Sequence, residues 1–217
     1  AQTLAAGVSR ARRDYEIVLA ELEMGDELGR GAFGVVRRAR WRGIEVAVKQ
    51  LQGLADSHGY LDRDKISAYL AELDVTAKLR HPSVVMLLAA VLEPREMCIV
   101  LEFGAHGSLK GLIHDKKRRM TRATALRHAA SLAAGVQYLH EFTPTCIHRD
   151  IKPDNALLVG AEGAPIEQAT AKLADFGESK FRSPTATMSQ VGTPLYMAPE
   201  INRAEEYDES VDIYALG

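Results

Sequence analysis

Three glycines spaced Gly29-x-Gly31-x-x-Gly34 fall between two segments of strand character, and that setting restricts the fold more than any other feature of the chain. A strand-like segment over Leu22–Leu28 runs into the glycines. After them, Val35-Val36-Arg37-Arg38-Ala39-Arg40-Trp41 has no amphipathic helix period, Arg42-Gly43 makes a turn, and Glu45-Val46-Ala47-Val48-Lys49 returns as a strand. In a dinucleotide-binding crossover the same glycine spacing opens a helix. Here it opens a strand, which excludes that fold and leaves an antiparallel hairpin. Glycines in such a hairpin let backbone N–H groups approach phosphates with no Cβ in the way. Taken alone, they would also serve as a plain turn.

Downstream the period changes. Residues Lys65 to Arg80 read as a helix, with Ile66, Leu70, Leu73 and Ala77 at helical spacing, and His81-Pro82 stops it. Val84 to Leu92 and Met97 to Leu101 read as two buried strands around a turn at 93–96. Ser108 to Leu112 starts a helix. Thr121 to Glu141 reads as a longer one, with apolar positions Leu126, Ala129, Ala130, Ala133, Val136 and Leu139 expected in the core. A strand pair, 156–159 and 171–174, flanks a looser insert. From Glu178 to Met197 the chain is rich in Ser and Thr with neither period, and Asp212–Gly217 looks like the start of a helix. A length of 217 residues suffices for one large core or two small ones.

Several function classes fall away. A net charge of −2 offers no electrostatic footprint for nucleic acid. The longest apolar run, Val84–Leu92, is too short to span a bilayer. Cys98 and Cys146 are isolated in apolar surroundings, which reads as two small buried hydrophobes in a reducing compartment, hence a cytoplasmic location. The basic run at 116–119 reads as a solvated loop in preference to a targeting signal or anion site.

The chemistry is concentrated in His148-Arg149-Asp150-Ile151-Lys152-Pro153-Asp154-Asn155. Asp150 can accept a proton from an attacking hydroxyl, Lys152 can neutralise a phosphoryl group, and Asn155 offers a hard amide oxygen of the kind Mg²⁺ prefers. Asp175-Phe176-Gly177 supplies a second metal-binding carboxylate. Together with the glycine loop, Lys49 after Val-Ala-Val, Glu72 in the helix, and Ala198-Pro199-Glu200, the order of these parts resembles a eukaryotic protein kinase domain over residues 22–217.

That resemblance implies a bilobal α+β fold. The lead-in or linker would be 1–21, and the N-lobe, an antiparallel sheet plus one helix, would be 22–101. The hinge would be 102–107, and 108–217 would be a mainly helical, incomplete C-lobe. ATP would be bound by Leu28, Gly29, Gly31, Gly34, Val36, Ala47, Lys49, Glu102, Gly104 and Leu157, with Leu101 guarding the rear of the pocket. Glu72 would pair with Lys49; Asn155 and Asp175 would hold Mg²⁺; Asp150 and Lys152 would be catalytic; Asp212 would anchor the catalytic-loop backbone. Lys152 two residues after Asp150 is the pattern of Ser/Thr kinases, so the expected partners are proteins with Ser or Thr acceptors. Arg149 implies control by a phosphate in the activation segment, with Ser183, Thr185, Thr187 and Ser189 as candidates. An upstream kinase or autophosphorylation in trans would add it. Thr193 matches a position that contacts the catalytic loop. Ile99–Phe103 with Gly107-Ser108-Leu109 looks most like the tyrosine-kinase-like group.

The rival is a non-catalytic kinase-like scaffold, which predicts a lost Lys, Asp or Asn; Lys49, Glu72, Asp150, Asn155 and Asp175 are all present. Because the chain stops inside what the resemblance makes a central helix, a longer intact protein is expected, with these 217 residues unstable or inactive alone.

Overall fold

The first part of the chain forms a five-stranded antiparallel sheet: β1 (Leu22–Gly31), β2 (Gly34–Trp41), β3 (Ile44–Leu51), β4 (Leu87–Val91) and β5 (Cys98–Glu102), in the order β1-β2-β3-β5-β4. The computed structural model describes residues 15–31, 34–53, 62–115, 119–181 and 191–217. These form two compact units. One takes in the chain up to Lys78 together with Met86–Phe103, and the other Leu79–Val85 with Gly104–Gly217.

In the first unit, successive residues of a strand point to opposite faces, and both faces are covered. Ala39, Val46, Val48, Cys98 and Val100 pack with Ile17 and Leu22 on one side. Leu87, Ala90, Met97 and Ile99 pack on the other against α1 (Arg63–Lys78) through Ile66, Tyr69 and Leu73. Tyr69 is 2% exposed, and its hydroxyl serves the carbonyls of Val91 at 2.9 Å and Cys98 at 3.0 Å, so its burial leaves no polar atom stranded. A register shift between Leu87 and Ala89 puts these two residues, two positions apart, into the cores on opposite faces. The strand expected over Val84–Leu92 is therefore shorter. Val84 and Val85 leave the sheet, and the Val85 N–H donates to Leu173 O (2.8 Å) in the second unit.

The second unit contains α2 (Leu109–His114), α3 (Arg122–His140), α4 (Pro199–Asn202) and α5 (Ser210–Leu216), with two short strand pairs. β7 (Ala156–Val159) pairs with β8 (Thr170–Leu173), and β6 (Cys146–Ile147) with β9 (Lys180–Phe181). Ser108 and Thr121 cap α2 and α3, accepting from the N–H groups of Gly111 at 3.2 Å and Thr124 at 3.1 Å. β9 corrects the expectation that 178–197 carries no strand; two residues are too few to show a period.

The face that α3 buries is also corrected. Thr124, His128, Leu132, Gly135, Val136 and Leu139 are buried, and the expected Leu126, Ala129, Ala130 and Ala133 are exposed. The buried set steps by three and four residues around one stripe, and Leu126, Ala130 and Ala133 lie across the helix from it. Gly135 sets the approach of α3 to its neighbours, because a Cβ there would stand 2.9 Å from Ser83 O and 3.0 Å from Leu173 Cδ1.

Candidate active site

Lys49 and Glu72 meet inside the first unit. The Lys49 ammonium donates to both Glu72 carboxylate oxygens, at 2.7 and 2.9 Å, and the two side chains are 13% and 8% exposed. The strand and helix account for this. Lys49 lies two residues beyond Ala47 on β3, so both face α1, and Glu72 lies on the buried stripe of α1 between Tyr69 and Leu73. The expected roof residues follow the same lattice. Gly29 pairs with Val36, Val36 with Lys49, and Lys49 with Ile99, in one row across four strands, while Ala47 pairs with Leu101. Ala47 is buried, Val36 half-buried and Leu28 exposed.

Gly31 and Gly34 are register partners at the β1–β2 turn. Gly34 has φ 152°, and a Cβ built on it would lie 2.1 Å from Gln50 O, so only glycine lets β2 leave the turn alongside β3. A Cβ on Gly29 would meet nothing within 4 Å. Glu102 ends β5, its N–H donating to Met86 O at 3.0 Å.

The second unit assembles the loop after β6. Asp150 is the hub. Its Oδ1 accepts from the Thr193 hydroxyl at 2.7 Å; its Oδ2 accepts from Lys152 Nζ at 2.6 Å and from Asn155 Nδ2 at 2.9 Å. Lys152 also donates to Thr193 Oγ1 at 2.7 Å. Asn155 Nδ2 further donates to Asp150 O at 2.9 Å, so the amide turns its nitrogen inward and keeps its oxygen for another partner. A Lys110–Asp154 ion pair at 2.7 Å ties α2 to the same loop. Arg149 sits at φ 69° with its guanidinium on Glu178 O (2.6 Å) and the Tyr207 hydroxyl (3.3 Å). Beneath it, Asp212, 1% exposed, accepts from the backbone N–H of His148 and of Arg149, both at 2.8 Å.

Asp175 follows β8 in the left-handed region (φ 64°), and its side chain is exposed, while Phe176 turns inward against His148 with ring centroids 5.0 Å apart. The Ala174 N–H donates to Asn155 O at 2.9 Å, which ties the backbone beside Asp175 to Asn155. Among the described residues no three His, Cys, Asp or Glu side chains converge on a metal site. The donors fit Mg²⁺ bound with a nucleotide, which takes one or two protein oxygens and fills its shell with phosphate and water. Leu157 is half-buried on β7 between buried Ala156 and Leu158, and the Gly104 carbonyl accepts from the Gly107 N–H at 2.9 Å.

Ser183, Thr185, Thr187 and Ser189 lie outside the described residues. Both cysteines are buried and outside any disulfide, and burial, with Glu96 nearby, pushes the Cys98 thiol up to about 12, far from a reactive thiolate. Sequence reasoning missed His140, Ser179 and Tyr207. Ser179 and Tyr207 join the loop from 31 and 58 residues away, and His140 bonds Asp212 across 72 residues; no local spacing carries such contacts.

The protein kinase domain family matches residues 22–217. The chain is 38% identical over 205 residues, 94% of its length, to a probable serine/threonine-protein kinase of Dictyostelium discoideum. It is 36% identical over 202 residues (93%) to the probable serine/threonine-protein kinase drkD of the same organism, and 35% over 208 residues (94%) to the serine/threonine-protein kinase CTR1 of Arabidopsis thaliana. It spans only 21%, 15% and 24% of those three proteins. With the match running from the first residue of β1 to the last residue given, the chain belongs to the protein kinase domain family.

Proposed function

We propose that the protein transfers the γ-phosphate of ATP to Ser and Thr hydroxyls of other proteins, as a cytoplasmic signalling kinase of the tyrosine-kinase-like group. The observation that carries this reading is the cluster of Asp150, Lys152, Asn155 and Thr193. Asp150 holds one hydroxyl already, that of Thr193, at 2.7 Å, and an acceptor Ser or Thr brings the same group. In the proposed role Asp150 orients that hydroxyl and takes its proton. Lys152, 2.6 Å from Asp150, balances charge on the moving phosphoryl. Lys49, held by both Glu72 oxygens, fixes the α and β phosphates, and Gly29, Gly31 and Gly34 cover them. Asn155 and Asp175 would hold Mg²⁺, which when bound supplies charge neutralisation at the phosphates. Leu28, Val36, Ala47 and Leu157 bracket the base, and the backbone of Glu102 and Gly104 reads its edge. Arg149 receives an activating phosphate on Ser183, Thr185, Thr187 or Ser189. Its guanidinium already serves two oxygen acceptors, which suits a phosphate as a third.

The full protein, assayed with Mg²⁺-ATP and a generic protein acceptor, is expected to yield phosphoserine or phosphothreonine. Asp150→Asn should lower kcat by about 10²–10³-fold with nucleotide affinity kept. No transfer by the wild type, or full rate in the variant, overturns the reading. The same assay with the four activation-segment hydroxyl residues replaced by Ala reads the regulatory part, which falls if the rate is unchanged.

A further inference from the structure

Asp212 is a clamp on the catalytic loop, and a residue with no part in the chemistry above holds the clamp. His140 is the last residue of α3, and its Nε2 lies 3.0 Å from Asp212 Oδ2, the oxygen that also accepts from the His148 N–H; the His140 side chain is 14% exposed and that of Asp212 1%. A carboxylate has only lone pairs to offer, so the proton in this contact sits on the imidazole nitrogen. Asp212 thus receives three donors: two backbone amides of the loop and one side chain from a different helix.

The loop needs such a fixture. Arg149 adopts φ 69°, a left-handed conformation that is strained for a side-chain-bearing residue and persists only where its surroundings insist on it. Its N–H is held by Asp212 Oδ1, and Asp150 is the next residue. A carboxylate with one anchor fewer can rotate, release the strained peptide and move Asp150 away from Lys152 and Thr193.

We infer that His140 is a positioning residue for phosphoryl transfer, acting through Asp212 on the geometry of Asp150. This rests on the kinase reading for its effect on rate, and on the hydrogen bonds alone for its effect on the loop.

The test compares His140→Leu, which removes the donor, with His140→Gln, whose amide nitrogen reaches a position close to Nε2, in the full protein. Two readouts are taken. Amide hydrogen exchange at His148 and Arg149 should accelerate in His140→Leu and return toward the wild-type rate in His140→Gln, with the β7–β8 amides unchanged in both. Steady-state kinetics should show kcat down about tenfold in His140→Leu with KM for ATP unchanged, as expected for one hydrogen bond to a buried charge, and most of it recovered in His140→Gln. The inference is overturned if the two loop amides exchange at the wild-type rate in His140→Leu, if exchange rises throughout the second unit, or if the glutamine variant recovers nothing. A wild type that transfers no phosphate sinks the kinase reading instead, and the exchange measurement still decides the role of His140.

Discussion

At the scale of single residues, the Lys49–Glu72 pair shows how a buried charge constrains its surroundings. Both side chains are nearly out of water and neither has a cheap way to stay there alone. Glu72→Gln leaves the ammonium facing a neutral amide and is expected to cost the first unit about 3–5 kcal/mol, read by urea denaturation. The double variant Lys49→Met with Glu72→Leu replaces both charges with apolar groups of similar reach. It should recover most of that stability, since swapping a buried pair for well-packed hydrophobes is often neutral or better, and it should show no phosphoryl transfer. Stability without activity would mark the pair as kept for its chemistry. A double variant no more stable than the single one would show that the charges themselves hold α1 on the sheet.

At the scale of elements, α3 carries a cost that the sequence reading passed over. His128 is 1% exposed, and neither ring nitrogen has a hydrogen-bond partner among the described residues. Burial, with Arg127 next to it, holds its pKa below the ordinary histidine value of 6.5. The folded chain therefore resists a proton that the unfolded chain accepts. Stability is complete above the unfolded value and drains away as the pH falls below it toward the lowered folded value. His128→Leu should stabilise the second unit by about 1–3 kcal/mol at neutral pH and flatten this acid-side loss. A thermal midpoint measured from pH 8 to pH 5 checks both, and equal slopes in the two proteins would refute it. The same helix shows where legibility ended. Its existence and length were readable from its run of apolar and small residues, but its buried face was not, because such residues occur on both sides of it and a histidine occupies the core stripe. The hairpin of β2 and β3 was readable because alternation and a Gly-containing turn point the same way. The span of β4 was not, since a run of apolar residues conceals the place where Val84 and Val85 pass to the second unit. Of the site, Lys49, Asp150, Lys152, Asn155 and Asp175 stood in recognisable local strings. His140, Ser179 and Tyr207 reach the loop only through the tertiary fold.

At the scale of the molecule, the two units bring different materials to function. The first offers paired strands and the buried Lys49–Glu72 ion pair; the second offers a web of hydrogen bonds around one carboxylate. In a library of single substitutions the glycines of the β1–β2 hairpin should behave unalike. Gly34→Ala drives a methyl into the Gln50 carbonyl and should empty the soluble pool, whatever ligand is added. Gly29→Ala points a methyl into open space, so the chain should accumulate normally and pay only when nucleotide arrives, as a raised KM for ATP. Two letters alike in a motif would then prove to be under separate kinds of selection, one exercised by the neighbouring strand and one by the substrate; equal loss of soluble protein at both positions would refute that division.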